Sequence, residues 1–127
     1  LACSPDAEQQ PDCLDSVSTD CSPLYPPTFD NVFTNTLSQK CATTGGSCHG
    51  PDGQKGGLTF ENADDAYQGL LGLDGSRARV KPGDPRCSEM IVRIDSPGKD
   101  WEMPPGKPLT AQERCAIRQW IAAGAVQ

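Results

Sequence analysis

Apolar residues along this chain recur at helical spacing in four short stretches, and no stretch alternates convincingly with period two. Phe29, Val32, Phe33 and Leu37 form the first stripe, and Thr28 stands where a cap belongs, so a helix is expected from Thr28 to about Lys40. Asn62 is a fair cap for a second helix carrying Tyr67, Leu70 and Leu71 and stopped by Gly72. Asp84 followed by Pro85 signals a third start, with Cys87, Met90, Ile91 and Ile94 on one stripe. The fourth opens on Thr110-Ala111-Gln112-Glu113, a capping box, and lines Ile117, Trp120, Ile121 and Gly124 on one face.

Between these stretches the chain is irregular. Residues 41–60 are glycine-rich, and residues 95–109 return to Pro, Gly and charge. The fold class that follows is mostly α: about four short helices joined by long loops. Loops of this length usually count against a compact domain, unless they wrap a large ligand. Residues 1–27 carry Cys3, Cys13 and Cys21 among Ser, Asp, Gln and Pro with almost no periodicity. They read as an N-terminal tether or surface wrap, pinned by a Cys13–Cys21 loop, ahead of a folded domain over 28–127.

Composition sharpens this picture. With 127 residues, 13 Gly and 12 Pro, the chain buries limited apolar surface, and a disulfide, metal or large cofactor is expected to help hold it. A net charge of −6 argues against nucleic acid as a partner. Seven cysteines in so short a chain fit an exported protein better than a reducing cytosol. Leu1-Ala2-Cys3 resembles the end of a lipoprotein signal, after which Cys3 would carry a lipid anchor, the only membrane attachment expected. An ordinary disulfide cysteine explains Cys3 equally well.

The chemistry centres on Cys41-Ala-Thr-Thr-Gly-Gly-Ser-Cys48-His49-Gly50. Covalent haem needs thiols for its vinyl groups and an adjacent histidine for the iron, usually as C-x-x-C-H. Cys48-His49 fits, and His49 is the sole histidine, but six residues separate the cysteines. Met103, on the Pro-rich loop Trp101-Glu102-Met103-Pro104-Pro105, offers a thioether opposite the histidine. Met90, on an apolar stripe, is explained by the core. A zinc site on Cys41, Cys48 and His49 lacks an evident fourth ligand. No nucleophile–base pair stands out, so no enzyme is expected.

These blocks resemble class I cytochrome c domains, and more closely the planctomycete-type domains and their relatives in haem-binding outer-surface lipoproteins. The likeness rests on Lys40-Cys41 with Cys48-His49-Gly50-Pro51-Asp52-Gly53, on Lys81-Pro82-Gly83-Asp84-Pro85, and on Met103-Pro104-Pro105-Gly106 with Trp120-Ile121-Ala122-Ala123-Gly124. It implies one covalent haem c, thioethers at Cys41 and Cys48, and iron ligation by His49 and Met103. It implies Phe29 and Phe33 crossing the last helix near Trp120, and Leu58, Tyr67, Leu70 and Ile91 as haem wall. The function implied is a single-haem electron carrier between exported redox protein partners or within a respiratory or photosynthetic complex, periplasmic or on the outer surface of a bacterium.

The long spacer leaves an alternative: Cys41 and Cys48 join in a disulfide, and the chain is a haem-free cytochrome-like lipoprotein module with a structural or partner-binding role. Cys87 and Cys115 lie in blocks where the family needs no cysteine, and they read as an added bridge between two helices.

Overall fold

The computed structural model describes residues 10–41 and 58–127. Four helical stretches carry the described chain, with no strand among the described residues. Helix α1 (Phe29–Val32) is capped by Thr28, whose hydroxyl accepts from the Asn31 amide, and runs directly into a π-helical segment, Phe33–Cys41. Here the sequence itself widens the turn. Ser38 Oγ and Gln39 Nε2 both donate to the Thr34 carbonyl, at 3.1 and 2.9 Å, and compete for the acceptor of the ordinary helical ladder. The wider winding turns Thr36 inward beside Leu37, and both are buried.

Helix α2 (Ala63–Leu71) starts on the Asn62 side chain and ends at Gly72 in the left-handed region, as the sequence predicts. The start at Asp84 is only half of what the sequence suggests. Asp84 caps a single 3-10 turn, Pro85–Cys87, and the backbone then straightens at Ser88 before α3 (Glu89–Ile94) begins. Ser88 explains the break: its buried hydroxyl donates to Asp84 O and accepts from Lys81 N, both at 2.8 Å, so the chain is held in a loop. Helix α4 (Ala111–Ala122) carries the expected capping box between Thr110 and Glu113.

The four stripes close on one core, in which Phe29, Val32, Leu37, Leu70, Ile91, Ile117, Trp120 and Ile121 are all but removed from water. The Phe29 and Trp120 rings lie 5.3 Å apart, which fixes α1 across α4 as the resemblance implies; Phe33 stacks further out, 6.2 Å from Phe29. Met90 belongs to this core. The loop before α3 stitches the layers together, since Val80 N donates to Leu70 O and Met90 N to Arg79 O.

Both expected disulfide pairings are corrected. Cys13 bonds Cys87, and Cys21 bonds Cys115. The break at Ser88 is the physical reason for the first. It takes Cys87 off the α3 stripe and sets it on the outer turn, where Leu14 N and Arg86 O pair at 2.9 Å and bring Cys13 alongside. The second follows from Gln119, which donates to the Thr19 and Cys21 carbonyls and lays the N-terminal segment along α4. Residues 10–27 therefore form an extended strap over α4 and the 3-10 turn, with Leu14, Val17 and Tyr25 leaning on the edge of the core.

Candidate functional site

Of the four residues expected to hold a haem, Cys48 and His49 lie outside the described residues. Cys41 ends the π-helical segment, and Met103 sits on the loop between α3 and α4. Met103 is half-buried against the core, its amide donating to Arg93 O at 3.1 Å, with a cis peptide to Pro104.

Cys41 borders a buried polar corner that the sequence does not announce. Glu113, only 1 % exposed, stands at its centre. One carboxylate oxygen accepts from Lys40 Nζ and from the Thr110 amide, both at 2.9 Å, and the other accepts from Thr36 Oγ1 at 3.4 Å. Thr36 in turn shares a 2.7 Å hydrogen bond with the Tyr25 hydroxyl, so the chain of contacts runs from strap to π-helical segment to α4. Burial alone would raise the Glu113 pKa. The bonds from Lys40 and Thr110 outweigh it and hold the carboxyl below its ordinary range. Burial pushes the Cys41 thiol the other way, up to about 12, and the Glu113 charge adds to the rise while Lys40 opposes it. A thiol in this state is protonated at neutral pH, neither a nucleophile nor a ready metal ligand.

Further ion pairs surround α3. Glu89 accepts two bonds from Arg77, at 3.0 and 2.9 Å, and one from Arg93 at 3.1 Å. Asp95 is gripped by both terminal oxygens by Arg118, at 2.8 and 2.9 Å. These pairs brace α3 against its neighbours.

Tested against a haem c, this arrangement does not fit. Among the described residues no group of three or more His, Cys, Asp or Glu is placed to hold a metal ion, and four described cysteines are committed to disulfides. The side chains expected to wall a haem are instead parts of one continuous apolar cluster: Leu58, Leu70 and Ile91 are buried in it, with Tyr67 and Met103 packed on its rim. Leu58 lies so close to α2 that a Cβ added at Gly69 would come within 3.0 Å of its Cδ2. Tyr67 spends its hydroxyl on Ala125 O at 2.9 Å. The expected haem c cofactor, and with it the single-haem electron carrier, is therefore corrected in favour of the haem-free alternative. Among the described residues, Arg93 Nη1, Trp101 Nε1, Glu102 Oε2 and Arg114 Nε are buried without a hydrogen-bond partner in the protein.

The class of protein is nonetheless clear from helix order, the crossing of α1 on α4 and the loop carrying Met103: this is a small cytochrome c-like helical domain. Residues 46–107 match the family described as Planctomycete cytochrome C. The chain thus carries a planctomycete-type cytochrome c-like domain. No curated protein and no solved structure matches it. The family generally suggests redox-partner interactions and an exported, periplasmic setting, and the two disulfides suit an oxidising compartment. No helix among the described residues is long and apolar enough to cross a membrane.

Proposed function

We propose that this domain is a haem-free, cytochrome-like module of the exported space that works by bracing or binding protein partners, without catalysis. The observation that carries the reading is the packing among the described residues: Leu58, Leu70 and Ile91, expected to line a cofactor slot, are buried in one apolar cluster with Tyr67 packed against it. Two further features support it. Disulfides supply the cross-linking that a small, loop-rich domain would otherwise take from a large cofactor. The only free thiol among the described residues, Cys41, is held protonated.

The test is to express the protein through an export route in cells competent for haem attachment. The purified protein should lack a Soret band, match the mass of the polypeptide less its disulfide hydrogens, and still melt cooperatively. Haem that stays bound through acid and organic solvent would overturn the reading.

A further inference from the structure

The strap over residues 10–27 is held by features of two different kinds. Two disulfides bolt it, Cys13 to Cys87 and Cys21 to Cys115. Between and beyond the bolts most of the polar contacts go to backbone, the Tyr25 hydroxyl on Thr36 Oγ1 being a side-chain exception. Arg86 Nη1 donates to Leu14 O and Arg118 Nε to Ser18 O, while Leu24 N donates to Gln112 O. Such contacts at a surface are each weak, since water can replace them. The core does not depend on them. Its buried members run from Phe29 to Ala125, and the strap adds only half-buried Leu14, Val17 and Tyr25 at the edge. The root of the strap is fixed separately, because Pro26 O accepts from Thr28 N and Asn31 Nδ2, at 2.8 and 3.0 Å.

We infer that residues 10–25 form a redox-locked strap, which a dithiol releases from α4 while the helical domain stays folded. Each lock opens by thiol–disulfide exchange. The dithiol gives up two electrons and two protons, leaves as its own disulfide, and the two cysteines gain one hydrogen each. Release withdraws Tyr25 from Thr36 and opens to water the polar corner around Glu113, together with the α4 residues Gln112, Arg118 and Gln119 that now grip strap backbone. The inference goes beyond the proposed function and stands without it, since neither lock involves Cys41 or a haem.

Amide hydrogen exchange on the full chain decides it, comparing oxidised protein with protein held in dithiothreitol without denaturant. The Leu14 and Leu24 amides should exchange at least about tenfold faster on reduction, while Ile117, Trp120 and Ile121 in α4 keep their protection. Strap amides that stay protected would overturn the proposal, and so would strap and α4 losing protection together. Single-lock variants give a second reading that does not depend on full reduction. The paired Cys21→Ser and Cys115→Ser change should free Leu24 and leave Leu14 protected; the paired Cys13→Ser and Cys87→Ser change should do the reverse. Equal effects at both amides from either pair would contradict two separable locks.

Discussion

Glu113 serves two structures at once. It is the reciprocal half of the α4 capping box and the acceptor on which the π-helical segment rests. The capping half is legible in Thr110-Ala111-Gln112-Glu113, because a box needs only local spacing. The other half is not, since Lys40 and Thr36 come from 73 and 77 positions away and Thr36 turns inward only through the widened winding. Because its folded pKa lies below the ordinary 4.5, the ionised carboxylate stabilises the fold above that value, and the contribution is lost as pH falls through the lower folded value. Glu89 has the same sign, with burial outweighed by Arg77 and Arg93. Urea denaturation from pH 7 down to about 3 should therefore show stability falling below about pH 4.5, and Glu113→Gln should flatten that fall. At neutral pH Glu113→Ala should cost about 1–3 kcal/mol, mostly through Thr36 and the cap, because Lys40 is 45 % exposed and turns to water.

At the scale of elements, the local signals for starts and stops are sound where one residue decides and fail where a tertiary contact competes. Thr28, Asn62 and Thr110 each cap as their sequences imply. Gly72 ends α2 because φ is +73° there, and a Cβ would come within 2.9 Å of the Ala78 amide nitrogen. Gly72→Ala should cost more than the roughly 1 kcal/mol of a simple left-handed penalty, seen as a lower urea midpoint with unchanged slope. Thr110→Ala should cost about 1 kcal/mol in the same assay. Asp84-Pro85 is an equally good start signal, yet the helix breaks at once, since Ser88 finds better partners in Lys81 and Asp84. That one residue takes Cys87 off the core stripe and leaves it on the outer turn, where it bonds Cys13 and not Cys115.

For the molecule as a whole, apolar periodicity identifies the helical part of the core, Trp120 and Ile117 included, but not Phe60, Val80 and Leu109, which reach it from the loops. Trp120 is buried against Phe29 and ties its indole N–H to Val126 O at 2.8 Å. Trp120→Ala should remove about 3–5 kcal/mol, measurable as a sharp drop in Tm. What periodicity cannot say is whether a set of inward side chains leaves room for something else. Leu58, Tyr67, Leu70 and Ile91 would read identically lining a cofactor or touching one another, and only their packing tells which. Disulfide connectivity is hidden for a similar reason, because spacing favours near neighbours while the fold joins distant ones.

Those distant pairings also govern how the protein can be made. The two bridges cross, each joining the early chain to a cysteine 74 or 94 positions later. In a chain delivered N-terminus first, Cys13 and Cys21 emerge together, only eight positions apart, long before either true partner. An oxidase acting on the emerging chain can close that small ring before either mature partner arrives, and the ring must later be broken to reach the mature bonds. The yield of correctly bridged protein should thus depend on a disulfide isomerase. Oxidative refolding with and without one, quenched by acid and mapped by peptide mass, should show a transient Cys13–Cys21 species that the isomerase clears.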